Sequence, residues 1–367
     1  QKRIRIADAD DMRRFLWGQQ YPRRKRSVFA GWRQALGRLL LALWRPRQRL
    51  EARATAPAST ALPPKARRRS SHEELGVRRA SFWVAVGESH EKTKVACEDR
   101  CACEALVRSS LACYCAAAID GHGGDDCAAY VAKALPFFIE ARLKCALQQK
   151  KRQPLDAGAV AGEALADAEK GYRDAVRRQR RNSLIQAQPT SGACAVVAVV
   201  LAGGVVGVAN VGDARAVAVY DDGAHRELSQ VHRALSSDAE QRRIADAGGL
   251  VTADGRLADG LLEPSRTIGD FEVKARYPNV VSSEPHVANL SGDTRLRALV
   301  LATDGVCDTL DAAAIAAFVL HRLPRDDDRL LLDQQPRDDI AKGLVDRARH
   351  LGSTDDATAV VLEFVSS

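Results

Sequence analysis

Between residues 193 and 220 the chain reads as three apolar runs separated by turn residues. No other stretch constrains the fold as tightly. Residues 193–201 read as a buried strand, Gly203-Gly204 as a two-residue hairpin turn, and 205–211 as the return strand. After Gly212-Asp213 turns the chain again, 214–220 reads as a third strand, closed by Asp221-Asp222-Gly223. This is an antiparallel meander. Strands joined through tight turns argue against a doubly wound parallel sheet, whose strands need long crossovers between them. Further strands are expected at 81–87, 111–119, 296–302 and 357–364, and helices at 124–147, 158–181, 237–247, 311–321 and 334–351. Ser236 or Ser237 caps the 237–247 helix, and Gly248-Gly249 stops it. Antiparallel strands with segregated helices make an α+β domain.

At 367 residues the chain is long enough for one large domain or two small ones. Its net charge of +8 hides a division. Residues 1–80 hold 21 Lys and Arg against 6 Asp and Glu, and the remainder holds 34 against 41. A basic arm, 1–79, thus precedes an acidic globular domain, 80–367. The domain's charge makes it a poor nucleic-acid binder, and no specific nucleic-acid partner is expected. Residues 27–46 of the arm read as a basic amphipathic helix, with Phe29, Trp32, Leu36, Leu39, Leu40 and Leu43 at helical spacing. It is too short and too charged to span a bilayer. It could lie on an anionic membrane surface, bind a regulator, or pack on the domain. Residues 52–72 read as a linker.

Nine cysteines form an odd set with no secretory signal before them, which reads as reduced thiols in an intracellular, cytoplasmic or nuclear protein. Cys101 with Cys103, and Cys113 with Cys115, make two C-x-C pairs. These suggest zinc, or simple alternation on neighbouring strands.

The chemistry gathers at strand and turn ends. The apolar run 111–119 delivers Asp120-Gly121-His122-Gly123-Gly124, a carboxylate and an imidazole among glycines that let backbone approach a small ligand. Asp304-Gly305 repeats that logic after 299–303, and Asp308 follows one turn on. Glu98-Asp99, Asp213, Asp270 and Asp355-Asp356 sit at similar places. One such acid is a turn former, but several at one end of a sheet repel one another unless cations neutralise them. Oxygen ligands without clustered His or Cys point to Mg²⁺ or Mn²⁺. Two such ions about 3.5–4 Å apart can hold a bridging hydroxide and clamp a phosphoryl group.

The order of these motifs resembles the metal-dependent protein Ser/Thr phosphatases of the type 2C family, from about Ser81 to Phe364. The resemblance rests on Glu98-Asp99, Asp120 to Gly124, Ser191-Gly192, Ala209 to Val217, Glu240 with Arg243-Ile244, and Gly248-Gly249. Ser265-Arg266, Gly269-Asp270, Ser283-Glu284-Pro285, Ala302 to Val306, and Asp355-Asp356 complete it. It implies two stacked antiparallel β-sheets flanked by helices and phosphoprotein substrates; a monomer is expected. It also implies roles: Asp120 bridges two ions, the Gly121 carbonyl binds the second, and Glu98 and Asp99 act largely through water. Asp304 and Asp355 complete the first ion. Asp213 with Asp304 and Asp308 offers a weaker third site. His122 gives a proton to the departing serine or threonine oxygen, and Asp270 is structural.

Departures from the family pattern are informative. Lys94 stands where the family usually places a phosphate-gripping arginine, so the bidentate fork is missing. Val231-His232 replaces Asp-His, Cys307 replaces Trp, and Asp356 replaces Asn. The competing reading is a catalytically weak or inactive phosphatase fold serving as a binding or regulatory module.

Overall fold

The computed structural model describes residues 79–87, 97–108, 111–149, 155–182, 190–201, 204–290, 295–323 and 340–365. The expected amphipathic helix at 27–46, the linker and Lys94 lie outside the described residues.

Two antiparallel sheets stack, each with helices on its outer face. The first has the order β2 (Arg100–Arg108), β3 (Leu111–His122), β4 (Gly192–Leu201), β5 (Val205–Val211) and β9 (His286–Leu290), with the short β8 (Ile268–Gly269) on the end of β4. The second has the order β1 (Arg79–Gly87), β11 (Ala357–Val365), β10 (Leu296–Ala302), β6 (Arg215–Tyr220) and β7 (His225–Glu227). Helices α1 (Asp126–Gln149) and α2 (Ala157–Asn182) cover the first sheet. Three shorter helices follow in the chain: α3 (Asp238–Asp246), α4 (Phe271–Arg276) and α5 (Asp304–Cys307). Helices α6 (Ala312–Arg322) and α7 (Ile340–His350) cover the second sheet.

The central strands carry apolar residues on both faces because both faces are covered. Alternate residues of β4 point to different cores. Val197 and Val199 meet Val131, Leu135 and Leu165 of the helices, whereas Val196 and Ala198 meet Leu299, Leu301, Val360 and Leu362 across the stack. The layer between the sheets is built largely from Ala and Val, including Ala116, Ala118, Ala198, Ala216 and Ala218.

Two expectations are corrected. The three-strand meander does not stay in one sheet: β4 and β5 pair, but β6 pairs with β10 in the other sheet. Gly212, at φ +94°, takes the chain across, a conformation that a side chain would strain. The strand expected to end at residue 119 continues to His122, so Asp120, Gly121 and His122 lie in ladder register with Cys194, Ala193 and Gly192. The two readings of the C-x-C pairs also separate. Cys101 and Cys103 oppose Ala118 and Ala116 on the face between the sheets, while Cys113 and Cys115 oppose Leu106 and Glu104 and pack toward the helices. Opposite faces preclude one four-cysteine zinc site, and alternation accounts for the spacing. Ser237 is the observed cap of α3, accepting from the Glu240 N–H.

Neighbouring antiparallel strands run in opposite directions, so one end of the stack collects the last residues of β3, β5 and β10 and the first of β2, β4, β6 and β11. That end carries the acids.

The small side chains between the sheets set how closely they approach. Ala118→Leu, opposite Val196 and fully buried, is expected to cost about 1–3 kcal/mol through overpacking. Urea unfolding should show a lower midpoint at an unchanged slope.

Candidate active site

A cleft of about 450 Å³ at this end is lined by Asp120, Gly121, His122, Asp213, Asp304 and Asp355 among the residues expected from sequence. Asp120 shares the inward face of β3 with Ala116 and Ala118, so the carboxylate terminates the apolar layer between the sheets. Asp213 follows the Gly212 turn and is buried. Asp304 begins α5, where β10 ends. Asp355 is exposed at the mouth, and its Oδ1 accepts from the Asp356 N–H at 2.8 Å.

The other expected acids stand around this cleft. Asp99 is buried behind it, accepting from Thr303 Oγ1 at 3.0 Å; Thr303 Oγ1 in turn accepts from the Thr358 N–H at 2.9 Å. This chain ties the start of β2 in one sheet to β10 and β11 in the other. Glu98 accepts from the Gly124 N–H at 2.7 Å through its side chain, and its own N–H donates to Asp356 Oδ2 at 2.9 Å. The carboxylate at position 356 thus holds the Glu98 backbone. Asp308 is exposed at the outer edge.

These carboxylates are crowded and incompletely satisfied. Asp99 Oδ1, Asp213 Oδ1 and Asp304 Oδ1 are buried without a hydrogen-bond partner. Burial, then the charges of Asp304, Asp99, Asp213 and Asp355, pushes the Asp120 carboxyl well above its usual range. Burial, then Asp213 and Asp355, does the same to Asp304 against the opposing pull of Arg233. Burial, with Asp356 and Asp355 adding to it, raises Asp99 to about 7. Orphaned hard oxygens around a shared centre fit one or more divalent cations. Asp120, Asp304, Asp213 and Asp355 are the residues that could hold them, with Glu98 and Asp99 behind.

Sequence reasoning missed Arg233. Its Nε donates to Asp213 Oδ2 at 2.5 Å, its Nη2 to Asp304 Oδ2 at 3.0 Å, and its Nη1 to Asp308 Oδ2 at 3.0 Å. A guanidinium therefore stands among the three carboxylates expected to form a weaker third cation site. Only its place beside His232 hinted at it. His232 itself is buried, and its Nδ1 accepts from the Gly212 N–H at 3.1 Å. Burial, with Arg266 nearby, lowers its pKa to about 4, so this histidine is neutral and braces the turn.

His122 Nε2 lies 2.8 Å from Asp270 Oδ2. Burial opposes the charged imidazole, but the hydrogen bond and charge of Asp270 outweigh it and raise the pKa. Asp270 is buried with φ +49°. A Cβ on Gly192 would stand 2.1 Å from Asp270 Oδ2 and 2.4 Å from His122 Nε2, so the pair needs that glycine. Asp270 is thus an orienting partner of His122. Glu240, by contrast, is fully engaged: Arg266 Nη2 donates to it at 2.6 Å, Arg243 Nη2 at 2.9 Å and Ser265 Oγ at 2.6 Å. Despite burial, these bonds hold its carboxyl near 2. It pins α3 to the segment carrying Ser265 and Arg266.

A family profile described as protein phosphatase 2C matches residues 85–357. "Probable protein phosphatase 1N" of Homo sapiens is 32% identical over 259 residues, covering 68% of this chain and 53% of that protein. "Probable protein phosphatase 2C 32" of Oryza sativa subsp. japonica is 30% identical over 248 residues, covering 66% of this chain and 56% of that protein. The chain thus spans about half the length of these curated relatives. Among solved structures, the serine-threonine phosphatase 2C from Toxoplasma gondii aligns with TM-score 0.57 at 18% identity, over 83% of this chain and 98% of the other. A C. elegans sex determining protein aligns with TM-score 0.59 at 20% identity, over 79% and 65%. At these identities the structures speak for the fold.

An Asp that titrates near 3.8 when unfolded and near 7 when folded stabilises the protein below the lower value and loses that contribution as pH rises through the upper one. The thermal midpoint gained on adding Mn²⁺ to chelated protein should therefore grow between about pH 4 and 8. Asp99→Asn should raise the midpoint of the chelated protein at pH 8 and shrink the gain from Mn²⁺. Differential scanning calorimetry measures both.

Proposed function

The chain belongs to the protein phosphatase 2C family, and from that premise we propose that it hydrolyses phosphoserine and phosphothreonine in proteins with divalent-cation help. The observation that carries this reading is the union, in one cleft, of orphaned buried carboxylates with an imidazole held by Asp270. Asp120, Gly121 through its carbonyl, Asp304 and Asp355 would hold two Mg²⁺ or Mn²⁺ ions, with Glu98 and Asp99 acting through water. Ions held there supply Lewis acidity and lower the pKa of water.

The chain's own residues supply the remainder. His122, kept protonated to higher pH by Asp270, delivers a proton to the serine or threonine oxygen as its bond to phosphorus breaks. An alkoxide is a poor leaving group, so this proton matters most for alkyl phosphates. Arg233 holds Asp213, Asp304 and Asp308 together and lowers their mutual repulsion, which weakens the case for a third cation there. Lys94 is the proposed phosphate contact, a point charge without a bidentate fork.

Release of phosphate from a phosphoserine peptide, assayed with Mn²⁺ and with chelator, tests the reading. Cation-dependent release that Asp120→Asn and Asp304→Asn abolish is expected; no release from the unmutated chain returns the fold to a binding role. His122→Gln should lower kcat on the phosphoserine peptide by about 10²–10⁴-fold. The loss should be much smaller on an aryl phosphate, whose leaving group needs no proton.

A further inference from the structure

One buried group at the cleft is superfluous to an oxygen-only cation site. Cys194 stands directly across from Asp120 in the β3–β4 ladder, and cross-strand partners share a face. It lines the cleft and is almost fully buried. Ligand atoms of Asp120, Cys194 and Asp213 all lie within 4.8 Å of one another. Asp213 is 3% exposed; its Oδ2 is engaged by Arg233, and its Oδ1 is buried without a partner. Gly212 leaves room for the thiol, since a Cβ there would stand 2.2 Å from Sγ. Among the described residues no other cysteine belongs to such a group.

We propose that Asp120, Cys194 and Asp213 form a mixed sulfur–oxygen site for a thiophilic divalent cation, Zn²⁺ or Cd²⁺, in competition with Mg²⁺ or Mn²⁺. The inference rests on the cation reading of the cleft, because the two sets share Asp120. One sulfur and two carboxylate oxygens leave a fourth tetrahedral position for water. Soft sulfur favours Zn²⁺ and Cd²⁺ over Mg²⁺, whose preference is for oxygen alone. On binding, the S–H bond breaks, its proton goes to solvent, and the sulfur's electron pair forms the bond to the cation; nothing is oxidised or reduced. A chain occupied in this way has lost the Asp120 carboxylate that the hard cations would share, so thiophilic ions would act as inhibitors of this site.

Cadmium titration of the full chain, followed by thiolate-to-cadmium charge-transfer absorption in the ultraviolet, tests the proposal. The chain's other thiols make the difference between proteins the quantity to read. The expected result is a first-equivalent band that Cys194→Ser loses and that excess Mn²⁺ moves to higher cadmium concentration. A band unchanged in Cys194→Ser, or unmoved by Mn²⁺, overturns the proposal. If Cys194→Ser does not fold, Asp213→Asn keeps all nine thiols and must weaken the band; an unchanged band there overturns the proposal equally. Phosphate release by the unmutated chain separates the two readings. Release with a Cys194-independent band defeats this site alone, and a Cys194-dependent band without release defeats the phosphatase reading alone.

Discussion

Mutual repulsion among buried carboxylates is the constraint around which this domain is organised. Two unit charges 4 Å apart repel by about 4 kcal/mol at an effective dielectric of 20. Asp99 and Asp213 are buried, and Asp120 and Asp304 half-buried, where the apolar layer ends and solvent screening is reduced. Arg233 answers part of that repulsion by reaching three acids at once. The orphaned oxygens of Asp99, Asp213 and Asp304 are the part it does not answer. Those unanswered oxygens are what the proposed cations would satisfy.

The contrast between Glu240 and Asp99 shows how the same chemistry serves structure or function. Both are buried carboxylates at 1% exposure. Two arginines and a serine surround Glu240 and hold its carboxyl near 2, whereas Asp99 has one threonine hydrogen bond and rises to about 7. The first is a lock between segments. The second is a charge waiting for a partner. His232 and His122 divide in the same way: one is neutral and braces the Gly212 turn, and the other is held toward its charged form by Asp270.

Much of this could be read from sequence because apolar strands ending in Asp-Gly announce both their burial and their termini. The 205–211 and 296–302 strands appear with the boundaries expected. What sequence could not disclose depended on contacts distant along the chain. The step of β6 into the second sheet rests on its pairing with β10, not on any local signal. Arg233 meets Asp304 across 71 positions, and no periodicity marks a guanidinium as a counter-ion. Cys194 looked like one more apolar strand residue; only ladder register sets it beside Asp120.

That register has a consequence for how the protein assembles. Side chains alternate faces along a strand, so sliding β3 by one position against β4 would turn Asp120 from the inter-sheet layer toward the helices. Both faces of these strands are buried, so packing and the desolvation of Asp120 oppose such a slip. An ion held at the proposed centre would add to that penalty, since only the correctly paired ladder presents Asp120 to Asp213 and Asp304. On the proposed cation reading, divalent ions would thus act as folding templates as well as reagents.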